Sequence, residues 1–423
     1  MARIRPFCAT RYTESAGEIS QLVAPPYDVI NSEDRVKLIE KSNLNVVQMT
    51  VPQQEENERS KFVKYARSKA FFEAWKREGF LKTDSKPMFY RYIQKFEAEG
   101  RQYSRTAFFT LLKAEPYEKG VVLPHEQTFP KHKEDRLRLL EATQAQLESI
   151  FGLYEDEDSS LHALIAKADG KKLASIKTDD GVEHLFEAIE NDQDIELIVQ
   201  KMEPKKIWIA DGHHRFETAC TYREKHSSPE SDTGQDYMII ALSSMKDPGL
   251  ALLPTHRIVN KLPEGTAKLC SLLGDDFDIQ DCAPDNLVSE LEKIGKKGEC
   301  GFGAVLPGGD GMLLVAKDKN ALMNQFGEGQ SDELKNLDVS ILHGYIFEKL
   351  LGIKNQNSVS YSRNAAEAIE SVEQGAAVSF LMNAPSIEDM RKIALSGEKM
   401  PQKSTFYYPK LLSGLVMWSM NDF

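Results

Sequence analysis

Residues 207–219 read IWIADGHHRFETA and contain the clearest structural signal in the sequence. The first four residues are apolar and prone to form a β-strand, and Asp211 and Gly212 form a turn dipeptide. Phe216 and Ala219 then recur at the spacing of one helix face. The stretch therefore predicts a strand, a tight turn and a helix.

The first turn of the predicted helix contains two histidines and an arginine, His213, His214 and Arg215. Backbone N–H groups at a helix N-terminus lack partners, and the helix dipole favours negative charge there. Because cations are disfavoured at this end, three potential cations together indicate that a strong anion binds beside them. Phosphate is the first candidate for that anion.

The composition narrows the class of protein. With 423 residues, 41% of them hydrophobic and 28% charged, the sequence is typical of a globular protein with more than one domain. A net charge of −12 argues against nucleic-acid and membrane partners. No apolar run has the length of a signal peptide or a membrane span, so we expect a cytoplasmic protein.

Helical and strand patterns alternate along the chain, which predicts a mixed α/β (α+β) architecture. We expect two domains, residues 1–262 and residues 263–423, with the second contributing a substrate loop. The individual elements that we expect include a hairpin around Glu99-Gly100, a strand at Leu44–Val51, a helix from about Lys133 to Ile150 and a strand near 357–361.

Pro25 and Pro26 precede Tyr27 and Asp28 and force an extended segment between two apolar runs. Such a rigid segment can line a binding site. A stiff surface connection explains it equally well.

A second polar cluster contains His125 and Glu126, directly after Pro124. The pair resembles the start of the zinc-protease motif H-E-x-x-H, but Phe129 stands where the second histidine is needed. A loop carboxylate beside a histidine is a reasonable general base, because proton removal from a hydroxyl needs an acceptor within hydrogen-bond reach. A structural helix cap is the alternative.

A third cluster, Lys403, Ser404 and Thr405, lies in a loop that also contains Lys399 and Lys410. Lysine with hydroxyl groups suits phosphate or carboxylate binding, although an ordinary turn with exposed lysines has the same composition. The chain has neither a P-loop nor a Rossmann glycine motif.

A metal ion is the rival explanation for His213 and His214, with Glu217 as a further ligand. Adjacent histidines on a helix point about 100° apart and rarely share one ion without other ligands. We therefore predict no transition-metal site.

Taken in chain order, the three polar clusters resemble the motifs of a known family. Asp211–Arg215, after an apolar strand and before a helix, resembles the phosphate-binding signature of the ParB and sulfiredoxin superfamily. Together with Pro124–Gln127 and Lys403–Thr405, it is most similar to the free L-serine kinases. Over nearly its full length, including Ala24–Ile30, the chain is also similar to a prokaryotic family of unknown function, family 1015. The resemblance implies a ParB/sulfiredoxin-like core with large N-terminal and C-terminal elaborations.

The resemblance also implies a role for each matching residue. Glu126 would position or activate the substrate hydroxyl, and Asp211 would be a second catalytic carboxylate or a metal-associated base. The transferring phosphoryl group would be held by Gly212, His213, His214 and Arg215. The substrate would be bound by His125, Lys403, Ser404 and Thr405.

The function expected from these roles is a nucleotide-dependent kinase that phosphorylates a small hydroxyl metabolite, with free L-serine as a candidate. ADP or ATP with Mg²⁺ would be the cofactors, and the substrate and the nucleotide would be the partners. Two alternatives stay open. One is a nucleotide-binding switch without turnover, and the other is a phosphohydrolase, because the same anion site can serve water as the nucleophile.

Overall fold

The computed structural model describes residues 1–56, 58–228, 230–263, 265–353 and 358–423. The chain divides into two compact units. The first comprises Met1–Pro124, Thr128–Ala251 and Pro409–Phe423, and the second comprises His125–Gln127 and Leu252–Tyr408. The predicted domains, 1–262 and 263–423, follow chain order, whereas each compact unit includes a short segment from elsewhere in the sequence.

The first unit contains a nine-stranded mixed sheet, and further short strands form separate two-stranded sheets. The strands up to residue 251 are β1 Ile4–Arg5, β2 Thr10–Tyr12, β3 Leu81–Thr83, β4 Phe89–Ala98, β5 Arg101–Lys113, β6 Val122–Leu123, β7 Ala145–Gln146, β8 Ile150–Tyr154, β9 Gly170–Lys177, β10 Glu183–Ile189, β11 Ile207–Asp211 and β12 Tyr237–Ser244. The order in the large sheet is β6-β11-β8-β12-β5-β4-β10-β9, with β1 paired to β5. Strand β11 runs parallel to β6 and antiparallel to β8, so its backbone is paired on both sides.

Helices of the first unit pack around this sheet and beside it. They are α1 Ile19–Leu22, α2 Ser32–Lys41, α3 Val47–Thr50, α4 Val63–Arg77, α5 Pro130–Thr143, α6 Ser160–Lys167, α7 Asp192–Met202 and α8 His213–His226. Among the described residues, no helix is both long and apolar enough to span a membrane.

The predicted strand, turn and helix at residues 207–219 are confirmed. Gly212 joins β11 to α8 with a φ of 96°, a left-handed conformation that suits glycine. Phe216 and Ala219 of α8 pack into the same buried cluster as Ile207 and Ile209 of β11. Because a fully buried phenylalanine contributes about 3–5 kcal/mol relative to alanine, this packing fixes the start of α8 against the sheet.

Two predicted elements are wrong. The expected strand at Leu44–Val51 contains the short helix α3, because the buried Asn45 accepts a hydrogen bond from Val47 N at 3.0 Å and donates to Val23 O at 3.1 Å. The helix expected to reach Ile150 ends at Thr143, since Gln144 adopts a left-handed conformation with φ 49°.

The second unit contains a six-stranded antiparallel sheet in the order β15-β17-β16-β19-β14-β18. From residue 251 onward the strands are β13 Ala251–Leu253, β14 His256–Val259, β15 Phe277–Asp281, β16 Gly301–Val305, β17 Gly311–Ala316, β18 Val359–Ser362, β19 Val378–Leu381 and β20 Phe406–Tyr408. The last strand, β21 Trp418–Ser419, belongs to the first unit and pairs with β7. The strand predicted near 357–361 is present as β18, and Asn357 lies outside the described residues.

Helices of the second unit cover its sheet, and Leu287 and Leu291 pack in a buried cluster with Leu381 of β19. The helices are α9 Leu269–Leu273, α10 Leu287–Lys296, α11 Lys319–Met323, α12 Asp332–Lys335, α13 Asp338–Ser340, a π-helix at Ile341–Leu350, α14 Ala365–Glu373 and α15 Ile387–Ser396. Both units combine helices with sheets, which confirms the predicted mixed α/β fold.

Candidate functional site

Asp211 ends β11 and is paired with two cations in the first unit. Arg215, one helical turn later, donates from Nη2 to Asp211 Oδ2 at 2.8 Å, and the Lys410 ammonium donates to Oδ1. Burial alone would raise the pKa of Asp211, but Lys410 and Arg215 outweigh it and hold the pKa below its usual range. Asp211 is therefore ionised at neutral pH and a weak proton acceptor.

Arg215 is 10% exposed and lines a cavity of about 50 Å³. Its Nη1 donates to Ser149 O at 2.6 Å, whereas its buried Nε has no hydrogen-bond acceptor among the described residues. Burial would lower the pKa of this guanidinium, but Glu148 and Asp211 raise it. A permanent cation with a spare buried donor can bind an anion oxygen.

Tyr27, in the proline-rich segment, packs against two guanidinium groups. Its ring centroid lies 4.1 Å from the Arg136 carbon Cζ and 5.7 Å from that of Arg215. The backbone N–H of Tyr27 donates to Glu148 Oε1 at 3.0 Å, and Ser413 Oγ donates to the same oxygen at 2.9 Å. Glu148 thus links the segment around Tyr27 to the segment that carries Lys410.

Lys410 is held in place through its backbone. Gln94 donates to Lys410 O at 3.0 Å, and the buried Arg105 donates to both Gln94 Oε1 and Pro409 O. Burial lowers the pKa of Arg105 to about 10, which is still high enough to leave the group protonated at neutral pH. These contacts fix the direction of Lys410 toward Asp211.

The two histidines of the signature differ in their surroundings. His213 is buried at the start of α8. His214 accepts a hydrogen bond on Nε2 from Phe129 N at 2.9 Å, and its ring stacks on Phe129. Burial and then His132 lower the pKa of His214 to about 4, so it is neutral near pH 7. Of the three expected cations, His214 therefore carries no charge there.

The second unit brings together the other two predicted clusters. His125 Nε2 lies 2.7 Å from Thr405 Oγ1, and Lys403 N donates to Glu126 Oε1 at 3.3 Å. Ser404 Oγ donates to Pro401 O, within its own loop. Lys403 has φ 55°, a conformation that costs non-glycine residues about 1–2 kcal/mol. Glu126 thus supports the backbone of the Lys403 loop.

Arg257 lies beside this loop and did not stand out in the sequence. It is 1% exposed and donates from Nη2 to Lys403 O at 3.2 Å and to Gln402 O at 3.4 Å. Burial lowers the pKa of Arg257 to about 10, so the group stays charged at neutral pH. A buried cation that holds two successive carbonyl groups orders the loop.

The alternative interpretation takes His213, His214 and Glu217 as ligands of a metal ion. Within the described ranges, no group of three or more His, Cys, Asp or Glu side chains is arranged to hold a metal ion. Glu217, the third ligand considered, accepts hydrogen bonds from Thr128 at 2.7 Å and Lys133 at 2.8 Å, which tie α5 and the residue before its N-cap to α8.

These features define a mixed α/β protein with a buried charged cluster at a helix N-terminus. The chain belongs to the protein family of unknown function DUF1015, whose model matches residues 4–340. Comparison with curated protein sequences gives no match.

Several solved structures are similar to the chain at low identity. Free serine kinase in complex with AMP shares 12% identity at a TM-score of 0.36, covering 71% of this chain and 86% of that one. A conserved hypothetical protein from Pyrococcus furiosus shares 13% identity at a TM-score of 0.36, covering 74% and 97%. SbnI with C-terminal truncation from Staphylococcus aureus shares 9% identity at a TM-score of 0.36, covering 73% and 86%.

Sequence reasoning missed several residues of the first-unit cluster. Glu148 lies where the sequence predicts the end of a helix, and proximity in the chain places Lys410 with Lys403 instead of with Asp211. The proline-rich segment does carry a sequence signal, since a rigid stretch before Tyr27 can line a binding site. No sequence pattern marked Arg257, because nothing in its flanking residues reports burial.

Proposed function

We propose that the chain is a nucleotide-dependent kinase that transfers a phosphoryl group to a small hydroxyl metabolite, with free L-serine as the first candidate. The observation that carries this proposal is Arg215, a buried guanidinium in the first turn of α8 with Nε free of acceptors among the described residues. The order of the three motifs, which resembles that of the free L-serine kinases, supports it. We also propose a ParB/sulfiredoxin-like core and a cytoplasmic location.

In this proposal the first turn of α8 binds the phosphate groups. Arg215 supplies positive charge, and the backbone N–H groups of Gly212, His213 and His214 face the anion with the helix dipole behind them. Phosphoryl transfer depends on positioning and charge neutralisation more than on covalent chemistry. A fixed guanidinium beside a helix N-terminus meets both needs.

Asp211 acts in this proposal by position. Its lowered pKa makes it a poor general base, and its two oxygens accept from Arg215 and Lys410. It therefore holds two cations in the orientation that an incoming phosphate requires. The Mg²⁺ expected from the sequence does not fit this carboxylate, because a divalent ion would have to displace the Lys410 ammonium.

The acceptor side of the proposal rests on the motif resemblance. Glu126 would accept the proton of the substrate hydroxyl, and His125, Lys403, Ser404 and Thr405 would bind the substrate. Proton removal by a positioned carboxylate contributes about 10²–10⁴-fold to turnover. Replacing Glu126 by glutamine should lower turnover by that factor and leave nucleotide affinity within about twofold.

The test is a phosphorus NMR screen of ADP, ATP and CTP, each with a panel of hydroxyl amino acids. A new phosphomonoester signal that requires both nucleotide and acceptor supports the kinase. Inorganic phosphate released without an acceptor indicates a phosphohydrolase, and nucleotide binding without any product indicates a switch. Full phosphotransfer by a folded Glu126→Gln variant contradicts the role given to Glu126.

A further inference from the structure

Phe129 is an exposed aromatic residue next to the phosphate-binding signature. The residue is 41% exposed, although most large apolar residues of this unit are buried. It is the N-cap residue of α5 and stands where the zinc-protease motif would need a histidine. A single exposed phenyl ring is common on protein surfaces, so the surroundings of Phe129 decide whether the ring has a role.

The Phe129 ring is held by its neighbours. It lies 6.2 Å from the His214 ring at an angle of 17°, a stacked arrangement, and 6.2 Å from His132 at 66°. The backbone N–H of Phe129 also donates to His214 Nε2 at 2.9 Å. The ring is therefore fixed at its base and backed by a neutral imidazole.

His214 and Arg215 are adjacent in the first turn of α8, and the Asp28 carboxylate lies close enough to act electrostatically on both side chains. The support of the Phe129 ring and the proposed phosphate ligand therefore lie near each other although their side chains point in different directions. A nucleotide has the same two parts, an anionic phosphate chain and a flat aromatic base. Stacking of a base on an aromatic side chain is worth about 1–3 kcal/mol and accepts any base, because every base has a π-face.

We propose that the exposed face of Phe129 stacks on the base of the bound nucleotide. This inference rests on the proposed nucleotide-dependent function and adds the surface that recognises the base. Because no hydrogen bond to a base edge is involved, the surface accepts any nucleotide base and does not set base identity.

The experiment is isothermal titration of the full chain with ADP and with inorganic tripolyphosphate, which lacks a base. Phe129→Ala should weaken ADP affinity by about 5- to 150-fold, the value of one stacked base, and leave tripolyphosphate affinity within about twofold. Phe129→Leu should behave like Phe129→Ala, because leucine keeps apolar area and loses the π-face. Phe129→Trp should keep or tighten ADP binding.

Phe62→Ala is the matched control. Phe62 is 45% exposed, is also the N-cap residue of a helix, and has the Arg138 guanidinium 4.5 Å from its ring. Its removal should change neither affinity.

The outcomes separate this inference from the proposed function. If Phe129→Ala leaves ADP affinity unchanged while Arg215→Ala abolishes it, the base-stacking surface is wrong and the nucleotide site stands. If Phe129→Ala weakens ADP and tripolyphosphate equally, Phe129 acts through the phosphate site and the inference also fails. A wild-type chain that binds neither ligand overturns the proposed function itself.

Discussion

The guanidinium of Arg215 donates to the carboxylate of Asp211 at 2.8 Å across the turn that joins β11 to α8. The two side chains are 10% and 15% exposed, so the pair is largely shielded from solvent. Asp211 neutralises Arg215 together with Glu148, and Arg215 and Lys410 together neutralise Asp211. The pair therefore ties the geometry of the proposed phosphate site to the stability of the first unit.

Arg215→Ala should lower phosphotransfer turnover by about 10²–10³-fold, because removal of one preorganised donor to a developing anion typically costs that much. Arg215→Lys should recover only part of the activity, since an ammonium cannot reproduce the fork of donors. Arg138→Ala is the control, because Arg138 forms an exposed i,i+4 pair with Glu134. Product formation followed by phosphorus NMR gives the measurement, and equal turnover of the Arg215 and Arg138 variants would contradict the role.

Asp211→Asn should destabilise the first unit by about 3–5 kcal/mol, because it leaves Arg215 and Lys410 buried without their carboxylate. Lys410→Met should destabilise it less, since Asp211 keeps Arg215. The double variant should lose less unfolding free energy than the sum of the losses in the two single variants. Urea unfolding of the wild type, both single variants and the double variant measures these losses. Additive losses within about 0.5 kcal/mol would show that Asp211 and Lys410 do not interact in solution.

Gly212→Ala should disturb Arg215 as well as the backbone. A Cβ atom on Gly212 would lie 2.5 Å from Ile150 Cγ2 and 3.1 Å from Arg215 Nη2. Gly181→Ala is the matched control, because Gly181 has φ 83° and nothing within 4 Å of a built Cβ. Both variants should lose about 1–2 kcal/mol to the left-handed backbone, and Gly212→Ala about 1–3 kcal/mol more to overpacking. Similar unfolding free energies for the two would contradict the crowding at Gly212.

The sequence alone predicts the features that neighbouring residues determine, and it fails where residues far apart in the chain determine the structure. The turn at Gly212 and the buried face of α8 were predictable, because periodicity and turn chemistry act within a few residues. The strand expected at Leu44–Val51 failed where a buried polar side chain, Asn45, organises the backbone through bonds to Gln21 and Val23. No local pattern reports such a long-range partner.

The candidate site shows the same limit. Asp211 and Arg215 are four residues apart, and their pairing follows from helix geometry. Lys410 is nearly two hundred residues away and reaches Asp211 because Arg105 and Gln94 hold its backbone. The sequence grouped Lys410 with Lys403 by proximity in the chain, whereas the compact units assign them to different bodies.

Glu148→Gln should loosen the proline-rich segment. Glu148 is buried and accepts from Tyr27 N and Ser413 Oγ, and loss of its charge should destabilise the first unit by about 1.5–3 kcal/mol. Hydrogen exchange at residues 24–28 should accelerate. Glu187→Gln is the control, because Glu187 is buried with Arg91 elsewhere in this unit. This variant should destabilise the first unit without selectively accelerating exchange at residues 24–28. Unchanged exchange at residues 24–28 in Glu148→Gln would show that Glu148 does not position Tyr27.

The unfolding free energy should fall as the pH is lowered from about 6.5 to 4. Burial lowers the pKa of His184, His214 and His256 to about 4 and that of His343 to about 3, from an ordinary value of 6.5. A histidine whose folded pKa lies below its unfolded value takes up its proton more readily when unfolded. Its contribution is complete above pH 6.5 and is lost as the pH falls through the folded pKa. The carboxylates with lowered pKa values, Asp211 among them, contribute in the same direction but below this window.

His214→Gln should therefore flatten the slope of unfolding free energy between pH 6.5 and 4, measured by urea titration at several pH values. A wild-type stability that is constant or rises as the pH falls through this range would show that these imidazoles stay accessible to protons in the folded chain.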